Sequence, residues 1–148
     1  MDHDPPTPSR IATGPPNGSP SLSLFRVVFG LLLIVHATQK LFAWPIGLPD
    51  GKGGFTDVAV PMGTWPFWWS GLIELVVGVL LLVGLVTRLA AFVGSGEMAF
   101  AYFTQHQPKA LWPIENGGEL AVLNCFGFFL LVFVGGGALA LDAMRAKS

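Results

Sequence analysis

Residues 67–104 read FWWSGLIELVVGVLLLVGLVTRLAAFVGSGEMAFAYFT. Two apolar runs meet here at the very short turn Thr87-Arg88, and each holds one acid, Glu74 in the first and Glu97 in the second. A bilayer crossing takes roughly 17–25 apolar residues, and both runs approach that length. A carboxylate at the centre of such a helix costs roughly 2.5–3.5 kcal/mol on insertion scales. Acids kept there mark a place that binds, pairs charges or moves protons.

Outward from this hairpin the pattern repeats. Apolar spans fall at about 22–43, 67–87, 89–106 and 118–141, the last opening on a third acid, Glu119. Only 11% of the 148 residues are charged, against roughly 25% in an ordinary soluble domain. Lipid offers backbone groups no partners, and four segments cannot close a barrel, so the spans are helices. The expected fold is all-α: a polytopic membrane protein, a four-transmembrane-helix bundle over residues 21–142. A Pro-rich tail of low order precedes it over 1–20, and a short basic tail follows over 143–148. The 1–20 segment has six prolines and almost nothing to bury. It does not read as a cleavable leader, lacking a basic start that runs into a short apolar core.

Lys and Arg placement gives the sidedness. With both termini cytoplasmic, the inner side holds Arg10, Arg26, Arg88, Arg145 and Lys147, and the outer side holds Lys40, Lys52 and Lys109. All the tryptophans (Trp44, Trp65, Trp68, Trp69 and Trp112) then fall at the outer interface, where amphipathic rings are favoured. The loop over 44–66 is broken by prolines and glycines and carries enough apolar residues to lie on the membrane surface. Arg26 and Arg88 each stand at the inner start of a hairpin, as in a faint parallel repeat, and read as lipid-headgroup anchors. The net charge of −1 and the lack of a basic tract exclude nucleic-acid binding. Cys125, the only cysteine, cannot form an internal disulfide and reads as a small packing residue.

Depth gathers the polar residues at one end. His36 and Lys40 share a helix face at i,i+4 beside Gln39. Glu74 lies about two turns into the second span, Glu97 near the middle of the third, and Gln105 and His106 at its outer end. Asn116 and Glu119 open the fourth span. Glu97 and Glu74 are the candidates for proton exchange; His36, Lys40, Gln105, His106, Asn116 and Glu119 are the candidate ligand contacts. Plainer roles stand beside these. Lys40 could snorkel to the interface, Glu74 could pair with it structurally, and Asn116 and Glu119 could serve the start of their helix. His106 is nine residues from Glu97, about half a turn out of phase, so both face one cavity only if the helix bends or ends between them. No feature beyond His36 and His106 supports haem, and nothing resembles a close zinc ligand cluster.

Several motifs in order resemble the DoxX family of small bacterial membrane proteins. They are Arg26…Gly30…His36…Lys40-Leu41-Phe42, then Gly53-Gly54-Phe55, Gly71…Glu74…Gly78…Gly84, Arg88, Glu97, and Asn116-Gly117-Gly118-Glu119. The resemblance covers about residues 22–142 and implies a four-helix protein of the bacterial inner membrane. The family takes its name from subunits of a thiosulfate:quinone oxidoreductase, and other members are linked to redox stress defence. Two-cysteine redox chemistry, found in some distant four-helix relatives, is closed to a chain with one thiol.

Three functions use such a site. A redox subunit would hold a quinone, exchange protons at Glu74 and Glu97, and take electrons from a partner subunit. A binding or transport module would hold a small solute or lipid, and with so few helices would act as a homo-oligomer. A structural subunit would use the charges to fix helix register within a larger complex. Of these the redox reading stands first, on the strength of the resemblance.

Overall fold

The computed structural model describes residues 19–145, which are helical with no strand among them. Arg10, Lys147 and the expected tail up to residue 18 lie outside the described residues. The elements are α1 (Pro20–Phe42), α2 (Phe67–Val83), α3 (Thr87–Ala101), a π-helical segment (Tyr102–His106), α4 (Pro113–Asn116), α5 (Glu119–Val134) and α6 (Leu141–Arg145). Among the described residues α1 alone is long and apolar enough to cross a membrane, at 23 residues; α2 and α5 are apolar but shorter.

Local chemistry sets these boundaries. Pro20 opens α1 at a position where a missing N–H leaves nothing unsatisfied. Gly84 closes α2 at φ 73°, and its N–H bonds back to the carbonyls of Leu80 and Leu81. The fourth apolar run reads to Leu141 with Gly135-Gly136-Gly137 loosening its far end, and α5 ends there, at Val134, where Gly135 at φ 79° turns the chain out of the helix. Residues 44–66 form no helix; their middle folds into a small hairpin bridged between Pro49 and Phe55. The Asp50 carboxylate accepts the N–H groups of Lys52 and Gly54 in its turn, which hold the carboxyl below its ordinary range.

The long helices pack as neighbours in sequence. α1 lies antiparallel on α2 where two glycines meet: a Cβ on Gly30 would come within 3.1 Å of the Gly78 oxygen. α3 packs on both α2 and α5. Leu33, Val77, Leu81, Ala91, Phe128 and Leu131 fill the space between them. The outward faces are apolar as well, with Leu24, Leu31, Phe126 and Phe133 exposed. A helix set that is apolar inside and out is suited to lipid rather than water.

Arg26 corrects a sequence reading. It is 1% exposed and does not face headgroups. Its guanidinium donates to the carbonyl oxygens of Leu81, Leu82 (2.8 Å), Gly136 (2.8 Å) and Leu139 (3.4 Å), closing the end of α2 onto the chain after α5. Arg88, its counterpart in the apparent repeat, is exposed. The two halves therefore place corresponding residues in unlike surroundings.

Asp142 of α6 holds the start of α3. Its two carboxylate oxygens accept the N–H groups of Val86 and Thr87, each at 2.8 Å. These bonds keep Val86 at φ 44°, a left-handed conformation that β-branched residues rarely adopt. Burial pushes the Asp142 carboxyl up, but the bonds from Thr87 and Val86 outweigh it and hold it below the ordinary carboxylate range. A carboxyl lowered on folding adds stability above its unfolded pKa and loses it as pH falls through the folded one. Asp142→Ala is therefore expected to destabilise by about 1–2 kcal/mol at neutral pH. In unfolding measured across a pH series, the gap from wild type should narrow below about pH 4.

Candidate functional site

Three helices bring the polar residues to one end of the molecule. The last turns of α1 supply His36, Gln39 and Lys40; the start of α2 supplies Ser70 and Glu74 one turn apart; α3 supplies Glu97. Lys40 Nζ donates to Glu74 Oε1 at 2.6 Å and to Ser70 Oγ at 2.7 Å. Ser70 in turn donates to Glu97 Oε1 at 2.6 Å. The side chains of Lys40 and Glu74 are 13% and 3% exposed, so this ion pair is largely withdrawn from solvent. Lys40 therefore does more than snorkel.

The far oxygens of both acids, Glu74 Oε2 and Glu97 Oε2, are buried without a hydrogen-bond partner among the described residues. Buried polar atoms are normally satisfied, so two such oxygens in one cluster call for an explanation. Charge sharpens the point. One ammonium faces two carboxyl groups, and the cluster is neutral only when it carries one carboxyl proton.

A cavity of about 240 Å³ opens beside this network. His36, Lys40, Glu74, Gln105 and His106 line it together, as their depth in the sequence suggested. Glu97 does not line it. It reaches the cluster through Ser70 and lies on a smaller neighbouring space of about 40 Å³, bounded also by Lys40 and Gln105. His106 meets the cavity by the bend that its spacing required. The Gln107 N–H bonds to Tyr102 O at 2.9 Å, an i→i+5 link, and this wider π turn changes the helix phase before His106. The imidazole lies near-parallel to the Tyr102 ring and sits 3.1 Å from the Asn116 carbonyl oxygen through Nδ1.

Asn116 and Glu119 fall elsewhere. Asn116 is buried, but it ties the 107–118 connection together, donating to Ala110 O at 2.9 Å and accepting from the Gly118 N–H at 2.8 Å. Glu119 is exposed in the first turn of α5 and does not line the cavity, although its neighbour Leu120 does. Among the lining or bridging residues that sequence reasoning does not reach are Ser70, Asn124 and Leu48. Asn124 is 3% exposed and stands alone among apolar neighbours on α5, a signal of the same kind as the glutamates. Ser70 shares a face with Glu74 at i,i+4. Leu48 belongs to the 44–66 hairpin, which folds over the cavity; Gln39 Nε2 fastens it through Gly47 O at 2.9 Å. Among the described residues no group of three His, Cys, Asp or Glu side chains is placed to hold a metal ion. Cys125 packs against the core, with Ser95 donating to its carbonyl at 3.0 Å.

Comparison with known proteins adds the following. The model of the family described as DoxX matches residues 21–107. An uncharacterized protein of Haemophilus influenzae is 41% identical over 124 residues, covering 82% of this chain and 87% of that protein. An uncharacterized membrane protein of Mycobacterium tuberculosis is 28% identical over 140 residues, covering 88% of this chain and 84% of that protein. No solved structure matches.

Proposed function

This chain belongs to the DoxX family of membrane proteins, and from that premise we propose that it is a quinone-linked redox subunit of the bacterial inner membrane. In this reading α1, α2, α3 with its π extension, and α5 cross the bilayer, and both termini lie on the cytoplasmic side. The polar cavity then sits in the outer half of the membrane. The observation that carries the reading is the pair of unpartnered buried carboxyl oxygens, Glu74 Oε2 and Glu97 Oε2, joined through Lys40 and Ser70 beside a cavity the size of a small ring.

A quinone head group offers carbonyl oxygens that take up protons as electrons arrive. Lys40 and His36 stand at the cavity wall as donors able to polarise such an oxygen. Glu74 is the carboxyl in direct contact with that space, and Glu97 connects to it through the Ser70 hydroxyl and the Lys40 ammonium. When Lys40 gives a proton to an oxygen at the cavity wall, Ser70 and Glu97 behind it stand in hydrogen-bond reach to return one. The electrons come from a partner subunit or an external reductant.

Glu97→Gln keeps the shape and removes the proton-holding group. Reconstituted with its reductant, the variant is expected to lose quinone reduction by a factor of about 100 or more, while quinone stays bound. Unchanged turnover would rule out a proton role for Glu97. Mass spectrometry of molecules extracted from protein purified in mild detergent gives the ligand directly. A bound solute of another class would favour the transport reading instead.

A further inference from the structure

The 240 Å³ cavity has a second polar wall, on α5. Asn124 lines it there and is 3% exposed. Its side chain makes no hydrogen bond among the described residues. A buried amide has donors and an acceptor to satisfy, and such groups are normally met. This one opens onto the cavity, so its partner has to come from that space. The helix packing sets where the wall stands. α1 and α3 each pack on both α2 and α5, while α2 and α5 scarcely meet. Glu74 on α2 and Asn124 on α5 therefore reach one cavity from opposite helices of the bundle. On the α3 side between them, Met98 and Ala101 give apolar surface.

A space with polar groups at two opposite ends and apolar surface between them matches a ring with an oxygen at each end. We propose that Asn124 holds the far oxygen of the ligand ring, so that the cavity selects para-dioxygenated rings, with one oxygen at the Lys40–Glu74 end and the other at the Asn124 amide. The inference rests on the quinone reading above and narrows its ligand class. An amide suits both oxidation states of such a ring. Its N–H groups donate to the carbonyl oxygen of the quinone, and its oxygen accepts from the hydroxyl of the quinol. An ammonium at this place would offer donors alone, and a carboxylate acceptors alone. Asn124 exchanges no proton; its part is to hold and select the ring.

The test compares tetramethyl-para-hydroquinone with tetramethylphenol, the same ring lacking one oxygen, bound anaerobically to the purified full-length protein in nanodiscs. Wild type is expected to bind the hydroquinone about tenfold tighter, the worth of about one hydrogen bond. Asn124→Leu keeps the branching of the side chain, and Asn124→Ala leaves the space open. Both are expected to lose that tenfold on the hydroquinone and to bind the phenol as wild type does, a pattern that crowding or misfolding does not produce. A preference kept in both variants, or no preference in wild type, overturns the assignment and leaves the quinone reading standing. If wild type binds neither ring, the quinone reading itself falls, and this inference with it. Infrared spectra of bound tetramethyl-para-benzoquinone report on unmodified protein. Both carbonyl stretches are expected below their values in hydrocarbon solvent, and the Asn124 variants should return one of them. Carbonyl bands that the variants leave unchanged overturn the proposal.

Discussion

Lys40→Met is expected to destabilise the protein by about 3–5 kcal/mol, the range for removing one member of a buried ion pair. The substitution leaves Glu74 without the ammonium 2.6 Å away, in a place where its side chain is 3% exposed and its other oxygen already lacks a partner. Ser70 loses its donor in the same step. Removing both charges has a different outcome. The double variant Lys40→Met/Glu74→Gln is expected to recover most of the loss, since an uncharged pair of similar volume is often neutral or better. A double-mutant cycle read by denaturing-detergent titration measures both. A loss under about 1 kcal/mol for the single variant would mean that the pair behaves as a solvated one. The recovered double variant also separates function from folding: it should be stable yet fail to reduce quinone.

Arg26→Ala is the second large effect. The guanidinium donates to four main-chain oxygens, and among the described residues no carboxylate is hydrogen-bonded to it. Each buried acceptor left unmet costs about 1–3 kcal/mol, and neighbouring groups relax around part of the loss, so about 4 kcal/mol is expected in total. Lysine should restore little, because one ammonium cannot span a fork that reaches both α2 and the chain after α5. Exposed Arg88 provides the contrast: Arg88→Ala should change stability by no more than about 0.5 kcal/mol. Thermal unfolding of the three variants decides the matter. Equal behaviour of Arg26→Ala and Arg88→Ala would refute the clasp.

The difference between those arginines shows where the sequence stops being informative. Both stand at equivalent places in an apparent repeat, and nothing local tells a headgroup anchor from a carbonyl clasp. The distinction lies in which distant chain arrives, here Gly136 and Leu139, at more than a hundred positions' remove. What was legible depended on rules with short range. Apolar run length gave the four long helices, glycine and proline gave most of their ends, and the cost of burying charge pointed to Lys40, Glu74 and Glu97. Depth along each helix brought His36, Gln105 and His106 to the same cavity. Glu119 was misleading because a first-turn acid and a buried acid look alike in sequence; only its exposure separates them. Ser70 was passed over because a hydroxyl near a helix start is ordinary, and its bridging role needs two other helices in place. The π turn that directs His106 has no sequence signature beyond the nearby Pro108.

The placement of the Lys40–Glu74 pair also bears on how such a chain is made. Both partners lie within the first helical hairpin, α1 and α2, so both have been synthesised before α3 is complete. An ammonium and a carboxylate that enter lipid together present much less charge to it than either alone. Glu97, which comes later, meets a hydroxyl already in position rather than a bare charge. In the proposed topology, closure of this hairpin eases insertion of the most polar part of the protein, and biogenesis is then expected to be most sensitive to changes that part α1 from α2 at Gly30 and Gly78.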